Sequence, residues 1–355
     1  MARFRSSHSF RWLFSYIEEQ SNVRAFVTGA TGLVGSHLVE QLVERGDQVR
    51  ALVRKTSDTE FLRDLGVELV CGDLLDASSL FEASRDAQIV FHCAGLIPIR
   101  GTFRALYTTN VRGTENLLKA CTANNARRFV YVSSVAVYGY RPLLGADESQ
   151  PLVANGWYSA SKIEAERIAR QYQQDHALET VILRPCAIYG ARDKLLLPSL
   201  LNTSWWRPLP LLDGGRYIID FVDAVKLAQA LILAAIREEA NGQAYNITDG
   251  ASITFRDFVA AVSEISGKKL RVINLPSRPA YYGISLLALL ARGLGLRNLQ
   301  VLNVESVRAI IHHQHFDISK ARRELGYEPH SDFRDGLRVA LNWFSENKAR
   351  LNMHF

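Results

Sequence analysis

The chain has 355 residues, 48% hydrophobic and 22% charged, with a formal net charge of +6. That length accommodates two lobes with a sizeable core, and the composition is that of an ordinary soluble globular protein, not a disordered or fibrous one. The positive excess is spread out, without a run of basic residues, which argues against a nucleic-acid partner and suits an anionic cofactor or substrate.

In chain order, residues 1–22 form an N-terminal extension ahead of the first strand. Phe10, Leu13, Phe14 and Ile17 fall on one helical face. A targeting peptide, a weak membrane-surface contact, a docked helix and a frayed extension are all open, and Glu18 and Glu19 count against a transit peptide. Val23 to Leu38, VRAFVTGATGLVGSHL, then reads as a buried strand, a glycine-rich turn and the start of a helix. Gly29 permits a tight turn, Gly32 lets the backbone approach a diphosphate, and Gly35 lets the new helix pack closely. The helix N-terminus, with its unpaired N–H groups and positive dipole end, faces the anion. A lone glycine triplet is a weak signal; strand, turn and helix in this order make it a dinucleotide signal. The second strand, Gln48 to Val53, ends where NAD-preferring sites carry an acidic residue, and here Arg54 and Lys55 follow. A guanidinium can hold a 2′-phosphate that a carboxylate would repel, so NADP is the expected cofactor, with NAD the alternative and a merely solvated Arg54 the bland reading.

Strand and helix signals continue to alternate. Strands fall at Val67–Val70, Ile89–His92, Arg128–Val132 and Thr180–Leu183, and helices over most of Thr102–Asn125 and over Trp157–His176. The pattern predicts an α/β fold, a Rossmann-like doubly wound parallel sheet, with small and polar residues just past the strand ends where ligands bind. From about residue 191 the rhythm breaks. Leu195 to Pro210 is apolar and irregular, Asp220 to Ile236 is helical after its first residues, and Ala244 to Ile247 is a further strand. Helices follow near 254–265, 280–294, 319–325 and 332–346. The expected division is an NAD(P)-binding domain over 23–190 plus about 218–247, and a smaller C-terminal α/β substrate lobe from about 191–217 and 248–355. No stretch reaches the roughly 18–20 apolar residues of a transmembrane span; the best, Ile284 to Leu290 extended to Leu296, is interrupted by Arg292 and reads as a buried or interfacial helix.

The most specific chemistry is in Trp157-Tyr158-Ser159-Ala160-Ser161-Lys162. Tyr158 and Lys162 are four apart on a predicted helix and share a face. A phenol with a pKa of ~10 is a poor base at neutral pH, and a nearby ammonium stabilises its phenolate. A hydroxyl from Ser134, at the end of the fifth strand, can hold the reacting oxygen.

With TGATGLVG, GDL at 72–74, HCAG at 92–95, NVRGT at 110–114, SSVAVYG at 133–139, YSASK at 158–162, LRPCAIYG at 183–190 and FDISKARRELGYEP at 316–329, the chain resembles the extended short-chain dehydrogenase/reductases over about residues 23–349. The resemblance implies Tyr158 as catalytic acid/base, Lys162 as the group that lowers its pKa and binds the nicotinamide ribose, and Ser134 in preference to Ser133 as the partner of the substrate oxygen. It implies Gly29, Thr31, Gly32, Leu33, Val34 and Gly35 around the diphosphate, Asp73 and Leu74 at the adenine, Ala94 and Gly95 near the ribose, and Pro185 at the nicotinamide. Asn110 is implied as a tie between a helix and the strand ends. The run ALVRKTSD…LGVELVCGDLLDASSL is similar to the branch of dihydroflavonol reductases and 3β-hydroxysteroid dehydrogenases, which commonly use a basic residue such as Arg54 for NADP. Val135-Ala136 stand where the family's sugar-nucleotide dehydratases carry an acidic pair.

The expected function is an NADP-dependent oxidoreductase acting on a secondary alcohol or ketone, its apolar lobe hinting at a bulky apolar small-molecule substrate. The rivals are a nucleotide-sugar epimerase, with Arg216 about where epimerases bind diphosphate, and a non-catalytic cofactor-binding scaffold. Family members often pair through two long helices, which makes a homodimer through 102–125 and 157–176 the expectation. No metal is implied; His312, His313 and His315 lack ligand spacing and read as a solvated loop. Trp205 and Trp206 read equally as pocket wall or core. Cys71, Cys93, Cys121 and Cys186, without CxxC or zinc spacing, read as small buried hydrophobes in a reducing, cytoplasmic setting.

Overall fold

The computed structural model describes residues 22–97, 103–293, 304–329 and 332–348. The expectations for residues 1–21, and for the end of the apolar run at Leu296, lie outside them. Strands β1 (Arg24–Thr28), β2 (Gln48–Val53), β3 (Glu68–Cys71), β4 (Ile89–His92), β5 (Arg128–Val132), β7 (Glu179–Pro185) and β11 (Ala244–Ile247) form one seven-stranded sheet in the order β3-β2-β1-β4-β5-β7-β11. Every neighbouring pair is parallel.

Both faces of this sheet are covered, which is why its strands read as mostly apolar segments without alternation. Val27, Phe91, Val130, Val132 and Leu183 pack with helices α1 (Leu33–Glu44), α2 (Glu60–Asp64) and the later α8 (Ala224–Ile236). The alternate residues Phe26, Val90, Phe129, Tyr131 and Ile182 pack with α3 (Ala77–Ala83), α5 (Gly113–Ala123) and α6 (Trp157–Asp175). Between β4 and α5 lie α4 (Phe103–Tyr107) and a wider π-helical turn, Thr108–Arg112. Arg128, buried at the start of β5, donates to the carbonyls of Ala234, Ala235 and Arg237 and pairs with Glu179 at 2.6 Å. It thereby satisfies the carbonyl groups that α8 leaves unpaired at its C-terminus.

A third apolar cluster lies beyond the sheet. It joins Leu197, Leu200 and Leu201 of α7 (Leu196–Leu201), Phe258 and Val262 of α9 (Phe255–Ser266) and Leu337, Leu341 and Phe344 of α12 (Phe333–Glu346). Three parallel ribbons accompany it: β6 (Leu143–Ala146) with β13 (Gln314–Phe316), β8 (Ala187–Tyr189) with β10 (Phe221–Asp223), and β9 (Leu209–Leu212) with β12 (Val272–Leu275). The remaining helices are α10 (Ser277–Gly293) and α11 (Val304–Ile310).

Several expectations change here. The stretch 195–210 holds a helix and the start of β9. Trp205 and Trp206 are 69% and 88% exposed, so neither is core. Leu286, Leu287, Leu289 and Leu290 of α10 are exposed, which removes the buried reading of that helix. Cys121 and Cys186 are buried, but Cys71 is exposed and Cys93 half-buried, because each sits where its strand runs out of the sheet. His315 lies in β13 and His313 directly precedes it, its carbonyl accepting from Leu143 N–H of β6 at 2.8 Å, so neither is in a solvated loop. His313 Nδ1 accepts from Ile218 N–H at 3.1 Å, and His315 Nδ1 lies 3.1 Å from Asp220.

Candidate active site

The strand order reverses direction between β1 and β4, and in a doubly wound sheet the crevice beyond the C-terminal ends of such strands is the ligand position. At the end of β1, Gly29 has φ +74°. Gly32 N–H donates to Gly29 O at 2.9 Å and closes the turn. A Cβ on Gly29 would come 2.6 Å from Ala94 N, and one on Gly35 would run into the Gly29 carbonyl. The helix α1 starts at Gly32 without a side-chain cap or a first-turn acid, leaving its first-turn N–H groups without intrahelical partners. Thr31, Leu33 and Val34 are half-buried around this turn and Gly32 is exposed. A cradle of bare N–H groups that Cβ atoms would fill fits a dinucleotide diphosphate.

The neighbouring strand ends supply the other expected positions. Arg54 follows β2 and is exposed; its backbone forms a turn with Ser57. The Asp73 carboxylate accepts from Leu75 N–H at 2.9 Å, and Leu74 is buried against Gly113. Ala94 N–H reaches Thr28 Oγ1 at 3.4 Å, and a Cβ on Gly95 would sit 3.4 Å from Lys162 Nζ. Asn110, in the π-helical turn, accepts from Leu96 N–H at 2.7 Å and donates to Leu96 O and to Ser161 Oγ, both at 3.0 Å. It therefore ties the segment after β4 to α6. Pro185 is buried at the end of β7, paired in register with Ile247.

The two serines after β5 have different partners. Ser133 donates to Glu166 Oε1 at 2.6 Å, away from the crevice. Ser134 accepts from Ala136 N–H at 3.2 Å, and its hydroxyl lies beside the Tyr158 phenol and favours the ionised form. Burial pushes that phenol up to about 12, opposed by the Ser134 hydroxyl and reinforced by the nearby Glu305 carboxylate. Lys162, only 5% exposed, donates from Nζ to Val132 O at 2.8 Å and lies 4.8 Å from the centre of the Tyr131 ring. Burial brings its ammonium down to about 8, against the pull of Glu166 and Cys93. Enclosure of the phenol dominates, and the ammonium is engaged with a strand carbonyl.

Beneath this corner is a polar network that the sequence reading missed. Arg184 grips Glu166 with two bonds, Nε to Oε1 at 3.0 Å and Nη2 to Oε2 at 2.6 Å, and donates from Nη1 to Tyr138 Oη at 2.8 Å. Tyr138 in turn donates to Asn246 Oδ1 at 2.7 Å. Glu166 and Arg184 are 1% and 3% exposed, so the pair is held by geometry and hydrogen bonding in place of solvent. The available signal was Glu166 one helical turn after Lys162. His92 is also buried, between Thr28 Oγ1 at 2.7 Å and Thr114 Oγ1 at 2.9 Å, and burial pushes it down to about 3. Arg216 is 67% exposed and lies 3.7 Å from Asp213. Among the described residues no group of three or more His, Cys, Asp or Glu side chains is arranged to hold a metal ion.

A glycine cradle at the switch point of such a sheet defines a dinucleotide-binding fold, and the comparisons with known proteins make the chain an NAD(P)-dependent oxidoreductase. Its residues 25–248 match the NAD dependent epimerase/dehydratase family, and the chain belongs to that family. It is 35% identical over 325 residues (89% of this chain, 95% of the relative) to the 4-hydroxy-2-methyl-3-oxo-4-farnesyl-3,4-dihydroquinoline-1-oxide ketoreductase of Stigmatella aurantiaca. It is 30% identical over 352 residues (91% and 80%) to 3beta-hydroxysteroid-dehydrogenase/decarboxylase isoform 1 of Arabidopsis thaliana. A solved dTDP-glucose 4,6-dehydratase from Streptomyces venezuelae, with NAD bound, superposes with a TM-score of 0.75 at 26% identity, over 92% of this chain and 98% of its own. Relatives of the first two kinds place the chain in the branch of dihydroflavonol reductases and 3β-hydroxysteroid dehydrogenases.

Proposed function

We propose that the protein is an NADP-preferring oxidoreductase in which Tyr158 is the acid/base for a secondary alcohol or ketone on a bulky apolar substrate. The observation that carries this reading is the Tyr158 phenol beside the Ser134 hydroxyl, with the buried Lys162 one helical turn on. When bound, the nicotinamide supplies or accepts the hydride. Tyr158, with its phenol held at about 12, keeps its proton at neutral pH and can donate it to a carbonyl oxygen. Ser134 fixes that oxygen beside the phenol. Lys162 is charged below about pH 8 and supplies positive potential where the phenolate develops. Gly29, Thr31, Gly32, Leu33, Val34 and Gly35 would hold the diphosphate, Asp73, Leu74, Ala94 and Gly95 the adenosine side, and Pro185 the nicotinamide. Arg54, exposed and next to the cradle, would hold the 2′-phosphate.

The apolar substrate class follows from the names of the relatives, a farnesyl quinoline-oxide ketoreductase and hydroxysteroid dehydrogenases, and the third apolar cluster is the proposed substrate lobe. The epimerase reading is weaker because Arg216 is exposed and beside Asp213; Val135-Ala136, which supply no acid or base beside Ser134, count against a dehydratase. A cytoplasmic homodimer through α5 and α6 completes the proposal, with weak membrane-surface contact by the exposed leucines of α10. No helix among the described residues is long and apolar enough to cross a membrane. Sedimentation and vesicle flotation test those two parts.

The central test is Tyr158→Phe in the purified protein, assayed with NADP and NAD against 3β-hydroxysteroids, secondary alcohols and ketones. Turnover should vanish while NADPH binding persists; full activity in the variant overturns the mechanism.

A further inference from the structure

We propose that Glu305, brought from the C-terminal part of the chain by α11, is a positioning residue for Tyr158: it caps the helix that carries Tyr158 and Lys162. The inference rests on the reading of Tyr158 as acid/base.

Helix α6 begins at Trp157, directly after Gly156. A glycine has no side chain with which to satisfy the first-turn N–H groups. Glu305 Oε1 takes that part, accepting from Trp157 N–H at 2.6 Å and, more weakly, from Tyr158 N–H at 3.5 Å. A carboxylate is the charge a helix N-terminus favours. Gly156 makes the room: a Cβ there would overlap Glu305 Cδ and Oε1, and would come 2.6 Å from Cγ. Its φ of −170° is open to any residue, so the glycine is required by space and not by backbone conformation.

The cap is held in place from its own side. Arg308, one turn along α11, donates from Nη1 to Asn155 O at 2.9 Å and from Nε to Tyr281 Oη of α10 at 3.0 Å. The backbone at 155, 157 and 158 is therefore gripped by one turn of α11, which is itself braced by α10. The groups that face Glu305 are the Tyr158 and Tyr140 phenols and the Arg308 guanidinium. The carboxylate opposes ionisation of both phenols; burial raises its own pKa above the ordinary carboxylate value, against the two α6 N–H groups and Arg308, which favour its ionised form. The N–H of the proposed catalytic residue itself is one of the capped donors, so withdrawal of α11 would loosen the turn from which the phenol projects.

The test uses the full-length protein, as wild type, Glu305→Ala and Glu305→Gln. Amide exchange at Trp157 and Tyr158 should speed up by about tenfold in Glu305→Ala. With the 3β-hydroxysteroid or ketone that the wild type turns over, kcat should fall about tenfold while NADPH affinity stays within about twofold. Glu305→Gln keeps an acceptor oxygen and should restore slow exchange and most of kcat. It removes the charge, so the pH limb assigned to Tyr158 should move to lower pH. Wild-type exchange and kcat in Glu305→Ala overturn the proposal. So does a Glu305→Gln variant with an unmoved pH limb, which also decides the matter if Glu305→Ala does not fold. An active Tyr158→Phe would instead sink the acid/base reading, with amide exchange still reporting on the cap.

Discussion

The two halves of the crevice are built in opposite ways. The glycine cradle is local: β1, turn and α1 follow one another, and its shape depends on side chains that are not there. The Tyr158 corner is assembled from distant positions. Asn110, Ser133, Ser134, Arg184 and Glu305 converge on α6 from separate parts of the chain, and Tyr138 and Asn246 extend the network from Arg184. A site made of backbone tolerates little added volume, whereas one made of side-chain networks tolerates little lost charge.

The largest effect should come from breaking the network. Glu166→Ala leaves Arg184 charged and buried without its partner, and should cost about 3–5 kcal/mol in urea unfolding. A loss well under about 1 kcal/mol would mean that water reaches this corner. On the cradle side, Gly29→Ala adds a Cβ both at φ +74° and against Ala94. It should destabilise the fold by roughly 2–3 kcal/mol and abolish NADPH binding, as read by fluorescence titration. If binding survives, backbone approach is not what the glycine provides.

His92 offers a gentler probe, because it lies between the two halves. Its folded pKa is held at about 3 by burial, with Lys162 adding to the effect, whereas the unfolded chain titrates near the ordinary 6.5. Its contribution is therefore complete above pH 6.5 and is lost progressively as pH falls towards 3, at up to about 1.4 kcal/mol per pH unit. His92→Asn should flatten that slope between pH 6 and 4 in parallel unfolding series; identical slopes would remove His92 as the cause. The smallest effect is that of Arg54→Ala, which should weaken NADPH binding about tenfold and leave NADH binding unchanged. Equal losses for both cofactors would return Arg54 to an ordinary surface charge.

The same contrast explains what the sequence disclosed. Strands β2, β4, β5 and β11 have the bounds read from the sequence, because both sheet faces are buried and these segments are mostly apolar. The preference for Ser134 over Ser133 came from the family resemblance; in the structure Ser133 donates to Glu166 while Ser134 accepts from Ala136 N–H. The ribbons were not legible: β8, β10 and β13 have three residues each, too few for any period to register. Glu305 was hidden for a related reason. It sits on a seven-residue helix, and its partner is a backbone N–H that carries no residue identity. Trp205 and Trp206 stayed open between pocket wall and core because an aromatic pair looks the same in sequence in either place, and their exposure removes only the core reading.

Arg128 has a consequence in time as well as in space. Its carbonyl partners lie at the end of α8, more than a hundred residues further along the chain, and the same helix, with α1 and α2, covers one face of the sheet. A ribosome delivers β1 to β7 before it delivers that cover. The emerging half-protein thus exposes a wide apolar sheet and a cation without its acceptors until α8 arrives, and it is in that interval that the chain most needs a chaperone.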